Sequence, residues 1–505
     1  MGVRLTDRQV IAAATDDRLV NIVSAPGSGK TTVATARFGY LHHGAPDGRR
    51  GVLALSFNRA AVGELRSRIA ARWGRQALAF PNLVTTFDDF HERMLKHLLR
   101  LGLIKWPEGH LHLDVIDDYS SLSGYRSISA GGWLRVASSK PDGTVFSDCI
   151  RSPKATFGLT QAEPHRAVLA AGKVSHDDVR VILRVALQRP EFQVAVDAWM
   201  AENFRSVVVD EIYDADELDL HVVSQAASLG LAVTVVGDPW QALYGWRGST
   251  PEKVQSNLLD QHDFRNFDQP ESFRFKTDQT RELAGQLRGG ESVNVPSIAS
   301  DEVDVALARQ WKHLWPAGEN ILPLAFRSGA SSDTDALLCL LLDVVTSASL
   351  GLQAFSRQNA LIRLGISEDD LENFRDAVLR PALEELVANL PAADVLENLR
   401  ARVGTFGRRR PRRGQADGLR EEELDLLRTR LQRGDLIAGL TVHQAKGREW
   451  DRVGVVLTRA QERELHVGLR ELEPEHCVLY VALTRAKYAS GSLHSLGELD
   501  LTEEA

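Results

Sequence analysis

Short apolar runs alternate with longer amphipathic stretches along most of this chain. The segment "RLVNIVSAPGSGKTTVATARFGYL" has the pattern of a strand, a glycine-rich turn and a helix. The segments "GVLALSFNRAAVGELRSRIA" and "LVTTFDDFHERMLKHLL" repeat the order of strand and helix, and "FRSVVVDE" and "LAVTVVGD" have the pattern of further strands. Strands that alternate with helices predict a parallel, doubly wound α/β sheet.

The same pattern starts again in the second half of the chain, with "DQPESFRF", "ILPLAFRSG", "AGLTVHQAKG" and "WDRVGVVL". We therefore expect an α/β fold of two domains, each a parallel sheet flanked by helices and each carrying an insertion. The expected ranges are 1–90 and 175–264 for the first domain, 91–174 for its less regular insertion, 265–345 and 435–505 for the second domain, and 346–434 for a short helical insertion.

Composition narrows the class of protein without identifying it. A chain of 505 residues is longer than one hydrophobic core usually holds. The net charge of −8 argues against a chain that is basic overall, although a local basic groove is compatible with it. No apolar run is long enough for a membrane span, and "MGVRLTDRQV" lacks the pattern of a signal peptide. Three cysteines far apart, without metal or disulfide spacing, favour a cytoplasmic protein.

The segment "SAPGSGKTT" predicts a phosphate-binding loop between a strand and a helix. Gly27 and Gly29 let the backbone N–H groups point inward, Lys30 supplies charge to the β- and γ-phosphates, and Thr31 offers a hydroxyl to Mg²⁺. The strict pattern has glycine where this chain has Ser24. The expected nucleotide-binding residues of the loop are Ser24, Ala25, Pro26, Gly27, Ser28, Gly29, Lys30, Thr31 and Thr32.

Two acids follow the apolar strand in "SVVVDEIYDAD". We expect Asp210 to hold Mg²⁺ through water, and Glu211 to orient and deprotonate an attacking water. This pair predicts hydrolysis rather than binding alone. Arg274 and Arg485 are candidates to place positive charge on the departing γ-phosphate.

Two features allow alternative interpretations. Gln9 fits a capping box with Thr6, and it also fits a glutamine that binds adenine upstream of the loop. The run "GRRRPRRG", with five arginines between Arg408 and Arg413, fits a solvated linker or a loop that contacts phosphates.

The order of the motifs resembles that of the UvrD/Rep-like DNA helicases of superfamily 1. The segments that carry the resemblance are "LTDRQ", "SAPGSGKTT", "LALSFNRAAVGELRSRI", "TTFDDF", "VVVDEIYDAD", "VVGDPWQALYGWRG", "ESFRF", "TVHQAKGREWDRV" and "LYVALTRAK". They extend over nearly the whole chain. The resemblance implies two RecA-like domains with ATP and Mg²⁺ bound between them.

The resemblance also assigns roles at the nucleotide. Gln9 is similar to the residue that binds adenine, and Phe273 to an aromatic that stacks on it. Gln241 is similar to a γ-phosphate sensor, and Arg274 and Arg485 to two arginine fingers. Glu449 is similar to the ribose-binding residue, and Gly447 belongs to the same expected ATP-binding set.

Further matches imply contacts with DNA. In "GDPWQALYGWRG", Asp238 and Gln241 would face the nucleotide, while the aromatic residues would face a DNA strand, on which Trp246 stacks a base. The expected DNA-binding residues are Phe57, Asn58, Thr86, Tyr244, Trp246, Arg247 and His443.

Three departures from the family pattern affect details. Tyr213 stands where the family usually has glutamine, Trp240 replaces a residue that is commonly polar, and "KGREW" replaces a Leu-Glu-Phe pattern. None of them removes an expected catalytic group. The insertion at 346–434 is also shorter than in full-length housekeeping members.

The resulting expectation is an ATP-driven motor that moves 3′→5′ on single-stranded or tailed DNA and unwinds duplex. The alternative is a DNA-stimulated ATPase that acts as an ATP-gated binding or recruitment module in repair or anti-phage defence. A fused nuclease is not expected, because the segment after Lys487 is too short for one. A protein partner such as a nuclease, repair or defence factor is compatible with both; a membrane partner is not expected, and the choice between DNA and RNA stays open.

Overall fold

The computed structural model describes residues 4–44, 49–117, 119, 122, 133–151, 162–245, 248–327 and 332–493. The chain divides into two compact units, Met1–Phe273 and Arg274–Ala505. Each unit contains a six-stranded sheet in which every pair of neighbouring strands is parallel. The expected α/β class is confirmed.

The strands of the first unit are β1 Leu19–Ser24, β2 Gly51–Ser56, β3 Leu83–Thr86, β4 Asp114–Ile116, β5 Trp133–Ser139, β6 Val145–Arg151, β7 Lys173–Ser175, β8 Phe204–Asp210, β9 Ala232–Gly237 and β10 Arg265–Gln269. Its helices are α1 Asp7–Ala14, α2 Lys30–His43, α3 Arg59–Trp73, α4 Phe87–Arg100, α5 Ala162–Ala170, α6 His176–Ala186, α7 Pro190–Asn203, α8 Glu217–Ser228, α9 Glu252–Val254 and α10 Asp260–His262.

The large sheet of this unit has the order β10-β1-β9-β8-β2-β3. Its inner strands β1, β9, β8 and β2 are largely apolar on both faces, which β2 shows most clearly. Leu53 and Leu55 pack into one core, with α4 and α6 to α8, while Val52 and Ala54 pack into the opposite core, with α1 to α3. Because successive strand residues point to opposite faces, burial on both faces produces the continuous apolar runs seen in the sequence.

The strand register brings the carboxyl ends of these strands to one edge of the sheet. Ser24 is level with Gln269, and Asp210 is level with Val236, next to the Gly237 that ends β9. In parallel α/β sheets this edge is where ligands bind.

The boundary between the units differs from the expected one. Residues 265–269 were expected to open the second domain, but they form β10, which pairs with β1 over Val20–Ser24. The first unit therefore extends to Phe273. The segment is polar and exposed along most of its length, so its sequence pattern does not identify it as a strand. Only its pairing with β1 shows that it belongs to this sheet.

The segment expected as an insertion also differs at its start. Residue 91 lies inside α4, whose Met94, Leu95 and Leu98 belong to the same core as β2 and β8. The described part of 91–174 adds the parallel pair β4–β7 and the hairpin β5–β6. Several of its apolar residues extend that core rather than form a separate one.

The strands of the second unit are β11 Ser297–Ile298, β12 Val305–Ala308, β13 Ile321–Pro323, β14 Ile437–Thr441, β15 Trp450–Val455 and β16 Ala486–Leu493, in the order β11-β16-β15-β12-β14-β13. Its helices are α11 Asp278–Arg288, α12 Trp311–Leu314, α13 Asp333–Leu350, α14 Arg357–Leu364, α15 Leu371–Phe374, α16 Arg380–Val387, α17 Ala392–Thr405, α18 Asp417–Leu431, α19 Val442–Ala445, α20 Arg459–Val467 and α21 Pro474–Leu483.

Helices α13 to α18 form the helical part of this unit around their own apolar core. Its first helix begins at Asp333, earlier than the expected residue 346, because Ser332 caps it and the Asp335 side chain completes a capping box. Within the described part of the chain, no helix is long and apolar enough to cross a membrane.

Candidate functional site

The loop between β1 and α2 is the best-defined feature at the carboxyl edge of the first sheet. Gly27 and Gly29 have φ of 72° and 86°, the left-handed region that favours glycine. Helix α2 begins at Lys30, directly after the loop, and no side chain caps its N-terminus, so this end of the helix favours an anion. Residues 24–32 thus have the conformation expected of a phosphate-binding loop.

The two acids after β8 lie beside this loop. The Thr31 hydroxyl donates a hydrogen bond to Asp210 Oδ2 at 3.1 Å, and Lys30 Nζ lies 3.6 Å from Glu211 Oε1. Glu211 has φ of 65°, an uncommon conformation for a residue other than glycine and one that is found at functional sites. Lys30, Thr31, Asp210 and Glu211 therefore form one cluster.

Burial and the nearby Glu211 carboxylate raise the pKa of Asp210 to about 7, while Lys30 and Thr31 oppose the shift. Asp210 Oδ1, Ser24 Oγ and Ser28 Oγ are buried and have no hydrogen-bond partner among the described residues. A buried carboxylate with an unused oxygen, next to a threonine hydroxyl, fits a divalent cation. Among the described residues there is no cluster of three or more metal-ligating side chains, and Mg²⁺ held by one carboxylate, water and substrate phosphates does not need one.

Gln9 makes two contacts through the two ends of its side-chain amide. Its Oε1 accepts from the Thr6 backbone N–H at 3.0 Å, which completes the capping box of α1. Its Nε2 donates to the Ser28 carbonyl at 2.7 Å and so contacts the phosphate-binding loop. The capping box is thus present, and the binding of adenine by Gln9 stays a prediction.

Phe273 lies next to Gln9 in a small cleft of the first unit. Its backbone N–H donates to the Gly27 carbonyl at 3.0 Å, and 48% of the residue is exposed. The other residues that line the cleft are Thr6, Arg8, Gln9, Ser28, Gln269, Pro270 and Glu271. An exposed aromatic ring fixed beside a phosphate-binding loop is suited to stacking on a nucleotide base.

The segment after β9 begins with a buried hydrogen bond. Gln241 Nε2 donates to Asp238 Oδ2 at 2.6 Å, and both residues are buried. Tyr244 is half-buried, and Trp246 and Arg247 lie outside the described residues. The Tyr213 ring packs so closely on Gly237 that a Cβ there would meet it at 2.7 Å, so this departure from the family pattern contributes to packing at the same edge.

Three further residues that were expected to contact DNA lie at the carboxyl edge of the first sheet, where β2 and β3 end. Phe57 is half-buried, with its ring 4.8 Å from that of Phe87. Asn58 is exposed and caps α3 through a bond from Ala61 N–H, and Thr86 is buried and caps α4. Asn58 and Thr86 therefore have structural roles that the motif comparison did not indicate.

In the second unit, Arg274 and Glu449 form an ion pair. Arg274 Nε lies 3.1 Å from Glu449 Oε2, Arg274 Nη1 donates to the Thr484 carbonyl at 2.8 Å, and Lys487 Nζ lies 3.6 Å from Glu449 Oε1. Burial acts to raise the pKa of Glu449, but the hydrogen bond and charge of Arg274, together with Lys487, lower it overall. Burial lowers the pKa of Arg274.

The other residues of this unit that were expected to bind ATP or DNA differ in exposure. Arg485 is 1% exposed, and its Nε donates to the Val481 carbonyl at 3.1 Å. Gly447 is exposed with φ of 82°, and His443 is half-buried on α19. The contact of Arg485 with a nucleotide stays a prediction.

Arg68 is a residue of the site that the sequence reasoning missed. Its Nη1 donates to Thr32 Oγ1 at 2.6 Å, and Glu64, one turn earlier on α3, holds the same guanidinium. The spacing of Glu64 and Arg68 signals a helical ion pair, but only the packing of α3 on α2 brings it to the loop.

The fold and these contacts define a protein with a P-loop nucleotide site at the carboxyl edge of a parallel sheet. Residues 5–119 and 157–262 match the UvrD/REP helicase N-terminal domain, and residues 416–489 match the UvrD-like helicase C-terminal domain. The chain belongs to the UvrD/Rep helicase family.

Curated relatives agree with this assignment. The chain is 28% identical to the ATP-dependent DNA helicase PcrA of Leuconostoc citreum over 50% of this chain and 34% of that protein. It is 24% identical to DNA helicase II of Haemophilus influenzae over 65% of this chain and 44% of that protein. It is 24% identical to the ATP-dependent DNA helicase Rep of Escherichia coli over 46% and 36%. The chain thus spans less than half the length of each of these relatives.

Proposed function

We propose that this protein is an ATP-dependent DNA helicase that moves 3′→5′ along single-stranded DNA and unwinds duplex ahead of it. The observation that supports this most strongly is the cluster of Lys30, Thr31, Asp210 and Glu211 beside the phosphate-binding loop. Membership of the UvrD/Rep family and the relatives named as ATP-dependent DNA helicases point to the same activity.

The first step assigned to these residues is binding of the triphosphate. The loop N–H groups and Lys30 would hold the phosphates, and the exposed Phe273 ring beside Gln9 would stack on the adenine. Thr31 and Asp210 would hold Mg²⁺, which supplies charge to the β- and γ-phosphates when it is bound.

The second step is activation of water. Glu211 is the carboxylate placed to orient and deprotonate the attacking water, and Lys30, 3.6 Å away, offsets negative charge on both the carboxylate and the phosphates. Gln241, held by Asp238, would sense the γ-phosphate at the same sheet edge. Arg274 and Arg485 are proposed to add positive charge, and Glu449 and Gly447 to contact the ribose side.

DNA would bind at the same sheet edge as the nucleotide. Phe57 and Tyr244 offer aromatic faces, and the exposed Asn58 offers a polar contact to the backbone. Thr86, Trp246 and Arg247, and His443 of the second unit, are proposed as further DNA contacts. The segment after β9 carries both Gln241 and Tyr244. A change at the γ-phosphate would therefore change the affinity of the protein for DNA. Movement requires such a difference in affinity between nucleotide states.

The test is strand displacement on a duplex with a single-stranded 3′ tail, measured together with ATP hydrolysis. We expect ATP-dependent displacement, none on a 5′-tailed duplex, and a loss of hydrolysis of at least about 100-fold in Lys30→Ala with retained binding to single-stranded DNA. The matched control is Lys253→Ala, an exposed lysine paired with Glu217.

Two results would change the proposal. DNA-stimulated hydrolysis without displacement on either tail would favour the ATP-gated binding module instead of a helicase. Unchanged hydrolysis in Lys30→Ala would contradict the assignment of the nucleotide site itself.

A further inference from the structure

A cavity lined mainly by arginines lies in the helical part of the second unit. Its volume is about 250 Å³. The charged residues that line it are Arg363, Arg409, Arg410, Arg412, Arg420 and Asp333. It takes in part of the arginine run that the proposed helicase mechanism does not use.

Three of the five arginines are matched by acids. Arg363 Nε lies 3.0 Å from Asp333 Oδ1, and Arg420 lies 2.7 Å from Asp335. Arg410 is bonded to Glu397. The lining acid Asp333 is therefore already paired, and Arg363 and Arg420 carry little uncompensated charge, while Arg410 has one carboxylate that it shares with Arg413.

Arg409 and Arg412 have no such partner. Both are exposed, and neither has an ion pair within the described part of the chain. Pro411 between them is buried, and the neighbouring Arg410 and Arg413 share Glu397. Acids thus pair with Arg408, Arg410 and Arg413 of the run, whereas Arg409 and Arg412 line the cavity without an ion pair among the described residues. A solvated linker would not require this separation.

The chemistry of the two unpaired side chains selects the ligand. A guanidinium group presents several N–H donors in a fork that matches phosphate oxygens, and it stays charged at all physiological pH values. A volume of about 250 Å³ is below the range of drug-sized ligand pockets, so it suits a compact group. The phosphates of a nucleic-acid backbone, in contrast, are spaced one by one along a strand, so they suit an extended surface better than a compact cavity.

We propose that this cavity binds a compact polyphosphate, either an inorganic oligophosphate or the phosphate chain of a nucleotide. Arg409 and Arg412 would contact its oxygens directly, and Arg363, Arg410 and Arg420 would line the cavity around it. The site is distinct in sequence from the phosphate-binding loop of the first unit, and the proposal does not depend on the helicase activity proposed above.

The experiment is isothermal titration calorimetry with inorganic tripolyphosphate, without divalent cations. The protein is the full chain with Lys30→Ala, which weakens the phosphate-binding loop of the first unit. We expect Arg409→Gln and Arg412→Gln to weaken binding by about tenfold each, because each removes charge-assisted hydrogen bonds. Arg413→Gln is the matched control, since Arg413 lies in the same loop, is 77% exposed and pairs with Glu397, and it should leave the affinity unchanged.

The nature of the ligand is tested with ATP under the same conditions. Tighter binding of ATP than of tripolyphosphate, with the same dependence on Arg409 and Arg412, identifies a nucleotide site, and equal or weaker binding identifies an inorganic anion site. Tripolyphosphate binding that is absent, or that is the same in the Arg409→Gln/Arg412→Gln variant and its parent, overturns the proposal. Loss of affinity for 3′-tailed duplex DNA in that variant, without competition by tripolyphosphate, assigns the arginines to nucleic acid and also overturns it.

Discussion

Asp210 is the residue whose chemistry is most altered by its surroundings. Its carboxyl group is buried, lies beside Glu211, and keeps one oxygen without a hydrogen-bond partner among the described residues. These conditions favour the protonated form in the protein without nucleotide. A bound cation would favour the charged form, so this side chain is suited to respond to Mg²⁺ and nucleotide.

The stability of the first unit should therefore depend on pH through Asp210. The unfolded carboxyl group titrates near pH 3.8 and the folded one near 7, so the free energy of unfolding falls as pH rises through this window. Asp210→Asn removes this dependence and should be more stable than the parent at pH 8, by at most about 4 kcal/mol, with the difference shrinking toward pH 4. Urea denaturation of the nucleotide-free protein measures it.

Glu202→Gln, an exposed acid on α7, serves as the control and should show no such pH-dependent difference from the parent. A stability difference between Asp210→Asn and the parent that is independent of pH would show that Asp210 is charged in the folded protein.

Phe273 is the second residue with a specific expectation. Phe273→Ala should raise the KM for ATP by roughly 2- to 10-fold, because stacking of aromatic groups contributes about 0.5–1.5 kcal/mol. Steady-state hydrolysis as a function of ATP concentration measures this. Phe80→Ala, which removes a ring that is 88% exposed elsewhere in the unit, should leave the KM unchanged. An unchanged KM in Phe273→Ala would mean that the ring does not contact the base.

At the scale of elements, the approach of α3 to α2 positions the phosphate-binding loop. Trp73 of α3 packs on Gly39 of α2, and its Nε1 donates to the Thr35 carbonyl at 3.0 Å. Arg68, on the same helix, bonds to Thr32. The orientation of α2, and with it the direction of its N-terminus, thus depends on this helix pair.

Two glycine substitutions separate packing from helix propensity. A Cβ at Gly39 would lie 2.0 Å from the Trp73 ring, so Gly39→Ala should destabilise the protein by about 1–3 kcal/mol. Gly63, in α3, has open space around its Cα, so Gly63→Ala should stabilise by about 0.5–1 kcal/mol. Thermal or urea denaturation of both variants is the measurement, and equal effects of the two substitutions would show that α2 and α3 do not pack this closely.

At the scale of the whole molecule, the protein and its proposed ligand, DNA, both carry negative net charge. The chain carries a net charge of −8, so binding to DNA must rely on local positive charge and on stacking. Long-range attraction by the whole protein does not contribute, and salt will act mainly on the few direct phosphate contacts.

The salt dependence of DNA binding tests this balance. If about four phosphates are contacted, log K should fall with log salt with a slope of about −3, a loss of roughly 50-fold between 50 and 200 mM. Fluorescence anisotropy with a labelled oligothymidine measures it, with an oligomer of abasic sites as the control for stacking. A slope near zero would leave stacking as the source of affinity, and a slope several times steeper would indicate a far larger basic surface than the composition suggests.

Local sequence determined the strand, turn and helix of the phosphate-binding loop, the acids that end β8, and the alternation of strands and helices. These features depend on neighbours in the chain: glycine admits positive φ at residues 27 and 29, and apolar runs predict strands buried on both faces. The capping box of Thr6 and Gln9 was predictable for the same reason.

Contacts between distant segments decided the rest. The polar segment 265–269 forms β10 because it pairs with the edge of β1, and the boundary of the first unit therefore lies later than the sequence predicted. Arg485 is buried, which its sequence context did not indicate. Arg68 reached Thr32 because α3 packs on α2. Arg410 found an acid partner in Glu397, whereas Arg409 and Arg412 have no ion pair among the described residues. A pattern along the chain specifies which elements form, but the partner of an edge strand or of a long charged side chain is set by what the folded chain brings within a few ångströms of it.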